Sequence, residues 1–309
     1  MVRMTTKPRR VVVAINPSAS FGASRDVGPA VVQTLRAMGH EVTSLTEPDF
    51  ESLLSSARAA VRAKPDALVV VGGDGMVNLG ANVVAGTRVP LAIVPAGTGN
   101  DMARGLGLPI GDTEAAIRRV GDALQGEPRV IDAMRVRWTD ADGAVFERWA
   151  AGSLSAGFDA IVNERANNMR HPKGPSRYIL ALLAELAGLK PLRYRVTLDG
   201  ELVELDALLV AVGNNVSLGG GMRITPDALL DDGLLDVMLV KPLGRIAFMR
   251  IFPRVFKGTH TTDPRVVLRR ARRIRIEVDA PLVAYADGER MGPLPVELEV
   301  VPGALRVLA

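Results

Sequence analysis

Two glycine-rich segments, each directly after a run of apolar residues, constrain the fold of this chain more than any other feature. The first is VVVGGDGMVNLG at residues 69–80, and the second is LAIVPAGTGND at residues 91–101. Each apolar run has the length of one buried strand, and the glycines let the backbone turn and approach a bulky group. Ligands of open parallel sheets bind beyond the carboxyl ends of the strands, so the two segments predict one binding cleft.

The N-terminal part of the chain alternates strand-like and helix-like segments. Apolar runs at 11–15, 67–71 and 91–95 predict buried strands, and apolar spacing at about 26–38 and 49–63 predicts helices between them. This alternation indicates parallel strands joined by helical crossovers.

Beyond about residue 130 the pattern changes to short, alternating, β-rich segments separated by turn residues. We therefore expect an α/β domain at 1–130 and a β-rich domain at 131–309, with the last few residues packing back on the first domain. A helix predicted at about 244–257 interrupts the second domain.

Composition excludes several classes of protein. The 309 residues include no cysteine, so disulfides and thiolate metal sites are excluded, which fits a reducing cytoplasm. The N-terminus lacks the apolar segment of a signal peptide, and we expect a soluble protein. The net charge of +4 favours an anionic partner: nucleic acid, an acidic membrane surface or a phosphorylated small molecule.

Asp74, inside the first glycine-rich segment, is the residue that calls for a chemical explanation. Backbone N–H groups of Gly72, Gly73 and Gly75 can approach phosphate oxygens, and the helix expected after them favours negative charge at its start. A carboxylate repels bare phosphate, so Asp74 is better explained by a magnesium ion or by a hydroxyl proton that it accepts. The alternative is a tight strand-to-helix turn in which the aspartate caps the helix.

Neither the P-loop pattern nor the dinucleotide-binding pattern is present. Instead, GGDGMVNLGANVV followed by PAGTGNDMARGLGLP closely resembles the two signature segments of the diacylglycerol kinase catalytic domain, shared by bacterial lipid kinases and sphingosine kinases. INPSAS at 15–20, GGGMRITPDALLDDGLLDVMLV at 219–240 and YADGER at 285–290 resemble further family segments, in family order.

The resemblance implies an ATP- and magnesium-dependent lipid kinase, most simply one that converts diacylglycerol to phosphatidic acid. It implies a three-layer, Rossmann-like nucleotide-binding domain and a C-terminal β sandwich, as in NAD kinases and diacylglycerol kinases, with both substrates in the cleft between them. The nucleotide-binding positions that it implies are Asn16, Pro17, Ser18, Ala19, Ser20, Thr46, Gly72, Gly73, Asp74, Gly75, Met76, Val77, Asn78, Thr98, Asp101 and Arg104. Asp74 and Asp101 would organise magnesium and the phosphates, and Arg104 would balance their charge.

By the same resemblance the catalytic base lies in the DGE segment, as Glu289 or Asp287, and we favour Glu289. Either carboxylate could instead belong to a hairpin turn, because ADGE between two strand-like runs is a good turn sequence. The family's structural magnesium loop corresponds to the side chain of Asp232 and the carbonyl groups of Leu229 and Leu234. The alternative is a solvated acidic turn.

Two positions depart from the family pattern GGDGTxNE, because this chain has Met76 in place of threonine and Leu79 in place of glutamate. The opening loop, NPSASFG, also departs from the usual NPxSG. These changes keep a second function open, a catalytically weak regulator that binds lipid or nucleotide. A kinase for another hydroxylated lipid or for NAD is a third alternative.

The expected partner is a lipid at an anionic membrane surface, with no nucleic acid, and the expected location is the cytoplasmic side of the membrane. On the helix predicted at 244–257, one face is apolar and the opposite face is basic, which suits contact with lipid headgroups. The apolar face consists of Phe248, Met249, Phe252, Val255 and Phe256. The arginine-rich segment RRARRIRIEV is expected to be solvated or to face acidic groups, and a homodimer is an expected assembly.

Overall fold

The structure, a computed structural model, describes residues 7–16, 26–169, 180, 181, 184, 185, 188 and 190–309. The chain divides into two compact units, one of residues 1–133 and 302–309 and one of residues 134–301. Among the described residues, no helix is long and apolar enough to cross a membrane.

Unit 1 has a parallel sheet with helices between its strands. Its strands are β1 (Arg10–Ile15), β2 (Glu41–Leu45), β3 (Ala67–Gly72) and β4 (Leu91–Pro95), in the order β2-β1-β3-β4. Its helices are α1 (Val27–Ala37), α2 (Phe50–Arg62), α3 (Asp74–Val84), α4 (Asp101–Gly105) and α5 (Thr113–Ala123). All residues of β3 and β4 are buried, as expected of strands that are covered on both faces.

The sequence explains where the helices of unit 1 begin. Asp49 caps α2 by accepting the N–H of Ser52, and Asp112 caps α5 by accepting the N–H of Ala115. Helix α3 begins at Asp74, two residues after the end of β3. The single residue between them is Gly73, which precedes the helix as its N-cap.

Unit 2 is a sandwich of two antiparallel sheets. Strands β5 (Arg129–Thr139) and β16 (Val296–Leu308) each cross from one unit to the other. The other strands are β6 (Val145–Ala150), β7 (Ser153–Gly157), β8 (Leu192–Leu198), β9 (Glu201–Ala207), β10 (Leu209–Gly213), β11 (Leu235–Val240), β12 (Val266–Ala271), β13 (Arg273–Val278), β14 (Val283–Ala286) and β15 (Glu289–Pro293).

One sheet of unit 2 has the order β16-β13-β8-β9, with β5 pairing with β16 and β6, and the other has the order β12-β11-β10-β7-β14-β15. Buried residues from both sheets form one apolar core, which includes Tyr194, Val212 and Leu235. Helices α6 (Phe158–Asn168) and α7 (Arg245–Val255) lie in the connections. The α/β unit and the β sandwich confirm the predicted fold class.

Candidate active site

The two glycine-rich turns of unit 1 touch each other through their backbones. A Cβ atom at Gly97 would lie 2.3 Å from the Cα of Gly73, a separation that only glycine permits. Both turns follow buried parallel strands, β3 and β4, which pair from Leu68 with Leu91 to Gly72 with Pro95. The carboxyl ends of these strands therefore form one site, which we call the glycine edge: residues 72–75 and 96–101.

Two carboxylates meet at the glycine edge. Oδ1 of Asp74 accepts the backbone N–H of Asp101 at 2.7 Å. A Cβ atom at Gly99 would lie 2.5 Å from Oδ2 of Asp74 and 3.5 Å from Oδ2 of Asp101, so both carboxylates approach the space that this glycine leaves open. Two carboxylate oxygens in one cradle are suitable ligands for magnesium. Among the described residues no group of three or more acidic or histidine side chains could hold a metal ion.

Asn100 fixes the second turn, a role that the sequence analysis missed. Its side chain accepts the N–H of Gly97 at 3.0 Å and donates to the carbonyl of Gly97 at 2.7 Å. Its backbone has a φ of 51°, a left-handed conformation that asparagine tolerates better than most residues. The signal in the sequence is an asparagine between glycines and the first residue of a helix.

The other predicted nucleotide-binding residues of unit 1 lie mostly along the same sheet edge. Asn16 follows β1, Thr46 follows β2, and Thr98 lies in the turn after β4. The guanidinium of Arg104 donates to the carbonyl of Gly99 at 3.4 Å. The predicted residues Pro17, Ser18, Ala19 and Ser20 lie outside the described part of the chain.

The first turns of α3 point mostly inward. Asn78 is 4% exposed, and its amide oxygen accepts a hydrogen bond from Asn82 at 3.1 Å. The side chains of Met76, Val77 and Leu79 are also buried, so Met76 and Val77 present no side chain at the surface of the turn. The two departures from the family pattern, Met76 and Leu79, therefore contribute to the core of unit 1.

In unit 2, the predicted catalytic segment forms a tight hairpin between β14 and β15. Asp287 and Gly288 are its two turn residues, with φ values of 50° and 81°, as in the type I′ turns that favour Asp-Gly. The Asp287 carboxylate is 8% exposed and accepts three backbone N–H groups: Oδ2 from Ala151 at 2.7 Å, and Oδ1 from Gly152 and Ser153 at 2.9 Å each. Asp287 therefore holds the start of β7 against the hairpin.

Glu289, two residues further on, has a different environment. It is half-buried, and no described residue forms a hydrogen bond with its carboxylate. Burial raises the pKa of Glu289, the charge of Arg148 opposes this rise, and the charge of Asp287 adds to it. A half-buried carboxylate with a raised pKa is a better proton acceptor than one already engaged by three N–H donors.

The loop predicted to bind structural magnesium is held by Arg270. This guanidinium lies 3.5 Å from Oδ2 of Asp232, bonds Oδ1 of Asp236 at 3.1 Å, and donates to the carbonyl of Asp227 at 3.1 Å. The other oxygen of Asp232 accepts the N–H of Leu234 at 3.0 Å.

Arg270 thus contributes one positive charge to the acidic loop. The magnesium role of the Asp232 side chain and of the carbonyl groups of Leu229 and Leu234 stays a prediction. Arg270 belongs to the arginine-rich segment, but its partners lie 34 or more residues earlier, and no local pattern identifies them.

Unit 2 also encloses a small apolar cavity of about 90 Å³ beneath α7. Phe248, Phe252 and Val255 line it from the helix, and strand residues such as Ala211 and Met238 line it from below. Among the described lining residues, His260 is the one ionisable group. It is 1% exposed, its Nε2 contacts the carbonyl of Ile224 at 3.2 Å, and burial lowers its pKa. The cavity therefore suits an uncharged, apolar group.

Comparison with known proteins gives the same assignment along the whole chain. Residues 10–136 match the family model of the diacylglycerol kinase catalytic domain, and residues 152–309 match that of the YegS C-terminal NAD kinase beta sandwich-like domain. A diacylglycerol kinase of Mycobacterium tuberculosis is 40% identical over 97% of this chain and 94% of its own length. One of Bacillus subtilis is 27% identical over 94% of this chain and 92% of its own length.

Solved structures show the same fold. A diacylglycerol kinase of Bacillus anthracis has a TM-score of 0.70 at 23% identity, over 98% of this chain and 97% of that one. A yeast NADH kinase complexed with NADH has a TM-score of 0.57 at 12% identity, over 97% and 82%. The fold is thus shared with nucleotide kinases, but the sequence match over nearly the full length shows that this chain belongs to the diacylglycerol kinase family and is a lipid kinase.

Proposed function

We propose that this lipid kinase transfers the γ-phosphoryl group of ATP to the hydroxyl group of diacylglycerol and forms phosphatidic acid. The observation that carries the proposal is the glycine edge of unit 1, where two backbone turns and the carboxylates of Asp74 and Asp101 converge. The M. tuberculosis relative is named as a diacylglycerol kinase, and the apolar cavity of unit 2 favours an acceptor with apolar chains.

In this proposal unit 1 binds the donor. Backbone N–H groups of the glycine edge cradle the ATP phosphates, with Asn16, Thr46 and Thr98 around them. Asp74 and Asp101 hold magnesium, which when bound neutralises charge on the phosphates. Arg104 supports the turn through the Gly99 carbonyl.

Unit 2 supplies the base. The Glu289 carboxylate accepts the proton of the acceptor hydroxyl as that oxygen bonds to the γ-phosphorus. The bond between the γ-phosphorus and the β,γ-bridging oxygen breaks, and ADP leaves with that oxygen. Asp287 does not accept the proton in this scheme, because its carboxylate fixes the backbone of residues 151–153.

The test is transfer of labelled γ-phosphate from Mg-ATP to mixed micelles that contain diacylglycerol, monoacylglycerol, sphingosine or ceramide, with NAD in a parallel tube. We compare the wild type with Asp74→Asn and with the matched control Asp122→Asn, which changes an exposed carboxylate on α5 of the same unit. The proposal requires label in phosphatidic acid that only Asp74→Asn abolishes. Label in another lipid would correct the acceptor, and label in NAD alone, or in no product, would overturn the proposal.

We further propose that α7 brings the enzyme to the cytoplasmic face of an anionic membrane. The predicted apolar face divides in two: Phe248, Phe252 and Val255 pack inward, whereas Met249 and Phe256 are 54% and 50% exposed. Ile246, 72% exposed, joins the outer residues. Residues 241–262 include five lysines and arginines and no acidic residue, which suits an interfacial helix on anionic lipid.

The arginine-rich segment is a weaker candidate for membrane contact, because acidic residues pair with several of its arginines. Arg273 pairs with Glu299, and Arg275 pairs with Glu277 and Glu297. For α7, the variant Ile246→Ser/Met249→Ser should lower binding to vesicles that contain phosphatidylglycerol. The control Val145→Ser removes a 66% exposed apolar side chain from β6 and should not. Equal binding of all three proteins would contradict the assignment to α7.

A further inference from the structure

A basic groove of about 750 Å³ lies on unit 1, away from the glycine edge. Its apolar lining consists of buried side chains, Val61, Pro65, Val83 and Val89. Four exposed cations line it as well: Arg58, Arg62, Lys64 and Arg88. The groove therefore combines an apolar floor with a positively charged rim.

In the described part of the chain, the four cations of this groove have no acidic partner. None of them forms an ion pair within the part of the chain that the structure describes, and the stretches 52–65 and 75–100 include no acidic residue. Asp66, the nearest acid in sequence, accepts the N–H of Arg10 at 2.7 Å and lies 3.7 Å from the guanidinium of Arg9. The positive charge of the groove is therefore available to a ligand.

The position of the groove separates it from the candidate active site. Lys64 and Pro65 end one residue before β3, and Arg88 and Val89 end one residue before β4. The groove thus lies at the amino ends of these parallel strands, whereas the glycine edge lies at their carboxyl ends. The six residues of β3 span roughly 20 Å at the usual rise of a strand. No nucleotide contact proposed above is part of the groove.

We infer that this groove binds the phosphate headgroup of an anionic phospholipid. The cations match the headgroup, and the apolar floor matches the start of the acyl chains, which a free phosphate ion lacks. None of the described residues that line the groove has an aromatic side chain on which a nucleic-acid base could stack. This site is separate from the proposed site for the acceptor lipid. It makes the fraction of the kinase that is bound to the membrane depend on the content of anionic lipid.

The test is binding of the full chain, without ATP, to phosphatidylcholine vesicles with and without phosphatidylglycerol. The variant Arg58→Gln/Arg62→Gln removes two cations from α2. The matched control Arg118→Gln/Arg119→Gln removes two exposed cations from α5 of the same unit. Thermal unfolding of both variants confirms that each is folded. We expect the α2 variant to lose about tenfold or more in affinity for the anionic vesicles, and the control to lose much less.

Three outcomes would overturn the inference: no loss in the α2 variant, an equal loss in both variants, or complete displacement of the wild type from vesicles by millimolar glycerol 3-phosphate. The last outcome would show that the headgroup alone suffices and that the site binds soluble phosphates. Phosphoryl transfer to a water-soluble, short-chain diacylglycerol is measured in parallel. The rate of this transfer should be equal in all three proteins. Vesicle binding therefore tests the groove, and transfer to the soluble substrate tests the proposed reaction separately.

Discussion

The glycine edge of unit 1 and the β14–β15 hairpin of unit 2 carry the two halves of the proposed reaction, and they are built in different ways. At the glycine edge the backbone makes the site, because Gly73 and Gly97 approach each other more closely than any side chain would allow. At the hairpin the environment of two side chains makes the site, because among the described residues three N–H groups donate to Asp287 and none donates to Glu289. Two carboxylates only two residues apart can therefore take different roles, one structural and one as the proposed base.

The largest effects are expected where this comparison is tested directly, in Glu289→Gln and Asp287→Asn. Glu289→Gln removes the proposed base and should lower kcat by about 10²- to 10⁴-fold without lowering Tm. Asp287→Asn replaces an acceptor-only carboxylate with an amide whose NH₂ cannot accept a hydrogen bond, and it should cost about 1–3 kcal/mol of stability.

The measurements are steady-state kinetics and thermal unfolding of both variants. If Glu289→Gln and Asp287→Asn lose the same amount in Tm, or if Glu289→Gln keeps full activity, then the assignment of Glu289 as base and Asp287 as structural carboxylate is wrong.

The same contrast explains what the sequence could predict. Glycines directly after apolar runs indicate tight backbone turns, so the glycine edge was predictable. The spacing of apolar residues made the parallel unit and the β-rich unit predictable. The donors to Asp287 are 134–136 residues away, and the partners of Arg270 are at least 34 residues away. No local pattern encodes such contacts, so the roles of Asp287 and of the acidic loop required the folded chain.

The variant Gly99→Ala tests whether activity requires the space that the absent side chain of Gly99 leaves at the glycine edge. In Gly99→Ala the new methyl group would meet Oδ2 of Asp74 at 2.5 Å and displace a carboxylate that we assign to magnesium. We expect kcat to fall by about 10- to 100-fold, because small displacements of a positioned group have effects of this size. Gly126→Ala is the control, since its nearest neighbour would lie at 3.7 Å. Equal activity in the two variants would remove Gly99 from the site.

Arg270→Met tests the acidic loop of unit 2, where the guanidinium contacts Asp232 and Asp236. Asp236 is 5% exposed, and burial already raises its pKa against the hydrogen bond from Arg270. Loss of this partner should cost about 1–3 kcal/mol, which lowers Tm by several degrees. Arg269→Met, an exposed neighbour on the same strand, is the control.

Magnesium gives the second measurement on this loop. We expect the Tm of the wild type to change little between EDTA and millimolar MgCl₂, because Arg270 already contacts the carboxylates of Asp232 and Asp236. A lower wild-type Tm in EDTA would show that the loop binds a metal in addition to Arg270.

The smallest expected effect is on the pH dependence of stability, and it again distinguishes Glu289 from Asp287. Because the pKa of Glu289 is raised in the fold, the folded state binds this proton more tightly than the unfolded state does. Its stabilising contribution is therefore complete below the unfolded pKa and is lost as the pH rises through the folded pKa. Glu289→Gln should match the wild type in stability at acid pH and exceed it slightly at neutral pH.

Activity should change in the opposite direction, because the base works only when ionised. Wild-type kcat should fall as the pH is lowered through the raised pKa of Glu289, and the residual activity of Glu289→Gln should lack that step. The measurement is a pH series of kcat and of Tm on both proteins. If Glu289→Gln gains stability at neutral pH and loses activity, then the burial of Glu289 costs stability and serves catalysis. Loss of stability at neutral pH would instead place Glu289 beside Asp287 as a structural residue.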